Sequence, residues 1–133
     1  MRRLAFLLPL FACSEDADPR PACLDDLPAS CASLYPPEFD QIYTQTLSKK
    51  CSTAGGSCHG PKGNRGGLTF ADADGAFAEL TAGGRVVPGD PACSELVVRL
   101  DSGGHDWSMS PGKPLPSGER CAIRTWIAHG AQR

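Results

Sequence analysis

The sequence has no run of like charges and no basic stripe. Its 133 residues carry 13 basic and 15 acidic side chains, for a formal net charge of −2. Proteins that bind DNA or RNA concentrate lysine and arginine on one face, so we expect no nucleic acid partner. The glycine-rich stretch at 60–67 also lacks the GK[ST] signature of a nucleotide-binding loop, which argues against phosphate binding there.

No apolar run is long enough to span a bilayer. The run at 4–12 follows two arginines, an arrangement typical of an export signal. Ala12 directly before Cys13 resembles a lipobox, in which the cysteine becomes the lipidated first residue. We therefore predict a signal peptide at 1–12 and a periplasmic or outer-membrane lipoprotein of a bacterium, attached to the membrane through lipid on Cys13. The alternative is secretion with Cys13 cleaved off or left free.

The motif that organises the chain is CSTAGGSCHG at 51–60. Cys58 stands directly before His59, and Cys51 lies seven positions before Cys58. This arrangement suggests covalent haem attachment, in which each thiol forms a thioether and the imidazole binds iron. Six small or polar residues separate the two cysteines instead of the usual two, and glycines among them allow the spacer to bulge. The alternative interpretation is a Cys51–Cys58 disulfide beside a histidine with no role.

The remaining cysteines suggest disulfides, because exported proteins meet an oxidising compartment. With Cys13 lipidated and two cysteines reserved for haem, four remain, and four cysteines allow three pairings. Proximity in the sequence favours a closed Cys23–Cys31 loop, with Cys93–Cys121 left over. The polar, proline-containing residues before Cys23 predict an extended tether.

The chain contains 15 glycines and 12 prolines, so we expect long loops between short helices. Apolar spacing and capping residues predict four helices. They cover about 37–50, from Asp72 or Asp74 to about Leu80, from Asp90-Pro91 through Leu100, and from Pro116 or Ser117 to near Gly130.

Met109 is the only methionine outside the predicted signal peptide, and it lies in a polar loop. A methionine in such a loop is a candidate sulfur ligand for haem iron, whereas in a core it usually fills a gap. His105 lies four residues earlier and is the alternative iron ligand. A third interpretation is a zinc site made of Cys51, Cys58, His59 and His105, although this spacing matches no standard zinc finger.

Taken together, these segments resemble the small class I cytochrome c fold, and are most similar to bacterial cytochrome c-like lipoproteins with a widened cysteine spacer. The resemblance covers about 37–131. The matching strings are CHG (58–60), GGL (66–68), VVPGDPACSELVVRL (86–100), MSPGKPL (109–115) and IRTWIAHGA (123–131).

The resemblance implies an all-α domain at 37–133, stapled by disulfides and preceded by a lipidated tether at 13–36. It also implies one haem c, with thioethers from Cys51 and Cys58 and iron ligands from His59 and Met109. With both iron positions filled, the expected activity is one-electron transfer to redox partner proteins and not catalysis. The alternative function is a haem-free, disulfide-stapled binding or structural module that keeps the fold.

Overall fold

A computed structural model describes residues 19–52 and 58–133; the predicted signal peptide, Cys13 and spacer residues 53–57 lie outside this part. Within these two ranges the regular structure is entirely helical, which confirms the all-α prediction. None of the helices there is long and apolar enough to cross a membrane. The elements are α1 (Phe39–Ile42), a π-helix (Tyr43–Ser52), a 3-10 turn (Arg65–Gly67), α2 (Ala73–Thr81), α3 (Glu95–Asp101) and α4 (Ser117–Ala128).

The first predicted helix differs in type from the expectation. Only four residues form α1, and the next ten are a π-helix, whose turns are wider because each N–H bonds five residues back. The apolar residues Phe39, Ile42 and Leu47 are buried, and the polar Thr46 is buried completely as well. An apolar stripe marks a helical face without distinguishing an α-helix from a π-helix.

The ends of α2 and α4 agree with the sequence signals. Asp72 caps α2, and its carboxylate accepts a hydrogen bond from the Gly75 amide at 2.8 Å. The chain leaves α4 through Gly130 at φ 100°, a backbone conformation that glycine adopts without strain.

The start of α3 was predicted too early, because Asp90-Pro91 forms a turn before the helix. The Asp90 carboxylate accepts a hydrogen bond from the Cys93 amide at 3.1 Å. The buried Ser94 hydroxyl donates to the Asp90 carbonyl at 2.8 Å and accepts from the Val87 amide at 2.9 Å. These bonds complete the turn, so α3 begins only after Ser94.

The core lies where α1 and the π-helix pack against α4. The Phe39 ring lies 5.0 Å from Phe77 on α2 and 5.4 Å from Trp126 on α4, measured between ring centroids. Leu80, Ile123 and Ile127 are fully buried around these rings. This cluster fixes the helices that carry the site described below.

The four cysteines predicted to form disulfides do so, but the predicted pairing is wrong. The bonds are Cys23–Cys93, with a separation of 70 residues, and Cys31–Cys121, with a separation of 90 residues. The N-terminal segment is therefore not closed into a loop of its own. Each of its cysteines crosses to a different part of the helical domain.

Backbone hydrogen bonds attach the same segment to the domain. The Leu24 amide donates to the Ala92 carbonyl at 3.0 Å, and the Leu34 amide donates to the Gly118 carbonyl at 3.0 Å. A side chain at Gly118 would be tightly packed, since an added Cβ would lie 3.0 Å from the Leu34 Cβ. Residues 23–35 are thus part of the packed domain.

Candidate functional site

A cavity of about 580 Å³ lies between the end of the π-helix, the glycine-rich loop, α3 and the loop that contains Met109. This volume falls in the range of about 300–1,000 Å³ typical of cofactor and small-ligand sites. Its apolar lining consists of Leu47, Leu68, Phe70, Leu80, Leu96, Leu100, Pro111 and Leu115. Such a lining favours a large apolar ligand.

The four residues predicted to hold haem all line this cavity: Cys51, Cys58, His59 and Met109. They come from three separate stretches of the chain, so the fold brings together side chains that the sequence leaves apart. Their roles as thioethers and iron ligands remain predictions. A second cavity, of about 610 Å³, lies between the N-terminal segment and α4 and includes none of the four.

His59 is held in one orientation by the chain that returns from the glycine-rich loop. Its Nδ1 lies 3.0 Å from the Leu68 carbonyl oxygen. Because a carbonyl only accepts, Nδ1 must carry the proton, which leaves the Nε2 lone pair for a metal. The His59 carbonyl accepts a hydrogen bond from the Phe70 amide at 2.6 Å, and the two rings lie 5.3 Å apart. The imidazole is therefore preorganised as a ligand.

The backbone also joins the two halves of the cysteine motif. The His59 amide donates to the Cys51 carbonyl at 3.2 Å, although eight positions separate these residues. In a tight C-x-x-C-H motif the first cysteine and the histidine are four positions apart, the spacing of an α-helical hydrogen bond. The widened motif keeps this hydrogen bond, with four additional residues between its two ends.

Cys51 and Cys58 belong to neither disulfide. The third bridge predicted by the haem-free alternative is thus not formed. Burial raises the pKa of the Cys51 thiol to about 11, and the nearby charges of Glu119 and Cys58 act in the same direction. Cys51 is accordingly a protonated thiol at neutral pH in the protein without a bound group.

Met109 reaches the cavity from a loop that is anchored to α3. Its amide donates to the Arg99 carbonyl at 2.8 Å, and the preceding Ser108 is buried. His105, the alternative iron ligand, is exposed and is not among the residues that line the cavity. Its ring stacks on Trp107, with 4.5 Å between centroids. The geometry therefore favours Met109 over His105 as the sulfur or nitrogen donor at this site.

The zinc alternative lacks its ligand set. In residues 19–52 and 58–133, no three side chains of His, Cys, Asp or Glu are grouped so that they would hold a metal ion. An imidazole and a thioether sulfur at one apolar cavity, with two thiols beside them, suit haem iron instead.

The charged residues around this cavity were not predicted from the sequence. Four cations and one acid line it: Lys50, Arg65, Arg85, Arg99 and Glu95. Arg85 donates to the Gly66 carbonyl at 2.7 Å, and Arg99 donates to Glu95 at 2.8 Å. The excess of positive charge suits a ligand with carboxylates, and haem carries two. The sequence contains one indication of this positive charge, because Lys50 directly precedes the first cysteine of the motif.

Comparison with known proteins agrees with this geometry. Residues 56–112 match the family model described as Planctomycete cytochrome C, a match that includes Cys58, His59 and Met109 but not Cys51. No curated protein and no solved structure is significantly similar to the chain. The match covers less than half of the 133 residues, and together with the cavity it supports a cytochrome c-like family for this chain.

Proposed function

We propose that this protein is an electron carrier that holds one haem c through Cys51 and Cys58, with His59 and Met109 as the iron ligands. The observation that carries the proposal is that all four side chains line one apolar cavity. The family match adds support, because it points to a cytochrome c-like protein independently of the cavity. The match by itself suggests haem-dependent electron transfer and no particular reaction.

Each residue has a separate task in this proposal. The thiols attach the cofactor, while the hydrogen bond from Nδ1 to the Leu68 carbonyl keeps Nε2 of His59 available to iron. When bound, haem supplies a one-electron redox centre whose potential is raised by a histidine and methionine ligand pair. With His59 and Met109 as its ligands, a bound haem iron would have no position open to a substrate, so we propose a carrier and not an enzyme.

The side chains around these four residues also suit a bound haem. The apolar side chains exclude water, so a bound redox centre would change charge with little rearrangement of solvent. The cations at the edge of the cavity offset the charges of the haem carboxylates, and Arg65 and Lys50 remain accessible to solvent there. The apolar lining and the cationic edge match the two chemical parts of the cofactor.

We also propose that the protein works outside the cytoplasm, anchored by lipid on Cys13 and exchanging electrons with redox partner proteins. Cytochrome c-like domains are usually extracytoplasmic, and the two disulfides suit an oxidising compartment. Both Cys13 and the signal peptide lie outside the described residues, so this part of the proposal depends on the sequence pattern.

Covalent attachment is tested by expressing the full chain with export in a host that attaches haem to c-type cytochromes. The purified protein is denatured, and its mass and visible absorption are recorded. We expect a mass increase of one haem that survives denaturation. The Cys51→Ala and Cys58→Ala variants should each keep at most one thioether, and the double variant should lose covalent haem. A colourless protein with a third disulfide would support the haem-free alternative.

The iron ligand is tested by comparing Met109→Ala with His105→Ala in the haem-loaded protein. Met109→Ala should lower the reduction potential and allow added imidazole to bind, because it removes the sulfur ligand and opens one iron position. His105→Ala should change neither property. The opposite result would make His105 the ligand.

A further inference from the structure

A buried carboxylate lies beside the proposed haem site. Glu119 belongs to the first turn of α4 and is only 4% exposed. A charged group so deeply buried is costly unless it is paired and hydrogen-bonded. In this protein it is both, so the fold maintains a negative charge at this position.

A chain of polar groups connects this carboxylate to the surface. The Thr46 hydroxyl donates to the Glu119 carboxylate at 2.9 Å, and the Tyr35 hydroxyl lies within hydrogen-bond distance of Thr46. Because the Thr46 hydrogen is used toward Glu119, Tyr35 must be the donor to Thr46. Lys50 forms an ion pair with the other carboxylate oxygen. The carboxylate is therefore bound by one hydroxyl and one ammonium group.

Glu119 is adjacent to the wall of the haem cavity. Lys50, which binds it directly, and Cys51, the next residue, both line that cavity. One ion pair therefore separates the Glu119 carboxylate from this wall.

The two members of the ion pair differ in exposure. The side chain of Lys50 is 40% exposed, whereas that of Glu119 is 6% exposed. Water and salt screen an exposed charge much more than a buried one. The positive charge of Lys50 thus offsets the negative charge of Glu119 only in part.

We propose that Glu119 sets the reduction potential of the haem site, lowering it by stabilising the oxidised state, while Lys50 limits this effect. The inference rests on the function proposed above. Reduction adds one electron, delivered by a redox partner or a mediator, and takes iron from ferric to ferrous. A nearby negative charge disfavours that added electron, because haem potentials respond to the net charge around the iron. Glu119 is a positioning residue in this scheme, since it acts through its field and touches no reacting atom.

The test is a spectroelectrochemical titration of the haem-loaded full chain and its variants. Glu119→Gln keeps the shape of the side chain and removes its charge, so it should raise the equilibrium constant for reduction about tenfold, a 59 mV rise for one electron. Glu119→Asp retains the charge and should keep most of the low potential. Glu38→Gln is the matched control, because Glu38 is exposed and its loss removes the same charge from the surface.

Lys50→Gln provides a second signature of opposite sign, at a side chain that is itself 40% exposed. It should lower the potential, because Glu119 then acts without its partner. A general loosening of the site would instead shift the reduction potentials of Glu119→Gln and Lys50→Gln in the same direction. A haem-loaded Glu119→Gln protein with the potential of Glu38→Gln, or shifts of equal sign in the two variants, would overturn the inference. A wild-type protein that takes up no haem would overturn the proposed function as well, which separates the two failures.

Discussion

The hydrogen bond between the Cys51 carbonyl and the His59 amide leads to a prediction about the unusual spacer. Deleting residues 53–56 joins Ser52 to Ser57 and converts the motif to C-S-S-C-H. The two ends of the 3.2 Å hydrogen bond then lie four positions apart, which is the spacing of an α-helix. The deletion variant should therefore fold and should attach haem by two thioethers.

The size of the effect on stability follows from the length of the segment between the bonded residues. That segment shrinks from eight positions to four, and halving the length of a loop reduces the cost of closing it by about 0.6 kcal/mol. We expect the free energy of unfolding of the haem-free protein to rise by about this amount. Urea denaturation followed by circular dichroism measures the change, and mass spectrometry of the haem-loaded form counts the thioethers.

A full-length variant with serines at 53–56 is the matched control, since it changes composition and keeps the spacing. It should behave like the original chain in both assays. A deletion variant that loses more than about 2 kcal/mol of stability, or that no longer binds haem, would show that the spacer supports the site. The view that the motif tolerates its extra residues while keeping the backbone geometry would then be wrong.

Three further predictions concern stability. Replacing Cys31 and Cys121 together by alanine should cost about 4 kcal/mol, given the 90-residue separation, and a loss below 1 kcal/mol in urea denaturation would contradict this. In the haem-free protein, the pKa of the Cys51 thiol is about 11 against an ordinary 9.0. The thiol therefore contributes fully to the free energy of unfolding below pH 9, and this contribution, on the order of 2 kcal/mol, is lost between pH 9 and 11. A Cys51→Ser variant should not show this loss. Gly118→Val should lower the free energy of unfolding by about 1–3 kcal/mol and speed hydrogen exchange at the Leu34 amide, because its side chain meets Leu34; unchanged exchange would contradict the packing.

Local patterns in the sequence predicted local structure well. The cap at Asp72 and the glycine after α4 act over a few residues, so their physical effect is contained in the pattern itself. The same is true of Cys58-His59, whose adjacency brings thiol and imidazole to one place without help from the fold. Met109 was singled out because a methionine is unusual in a polar loop, and its side chain packs against the core and lines the cavity.

Features that depend on distant contacts were not predictable in the same way. Proximity favoured a Cys23–Cys31 disulfide, but the path of the N-terminal segment across α3 and α4 decides which thiols meet. The π-helix was not predicted, because apolar spacing indicates which face of a helix is buried and does not indicate the type of helix. Glu119 occupies a helix first turn, where acids are usually exposed, and only the packed structure shows that it is buried against Thr46.

The crossed disulfides bear on how the protein matures. Cys23 and Cys31 are synthesised well before Cys93 and Cys121, so a bond between the first two can form before either native partner is available. Reaching the native connectivity from such a bond requires exchange with a later thiol, and Cys51 and Cys58 provide competing thiols. The yield of correctly folded protein in a heterologous host should therefore depend on a disulfide isomerase. It should also depend on haem attachment early enough that Cys51 and Cys58 no longer take part in the exchange.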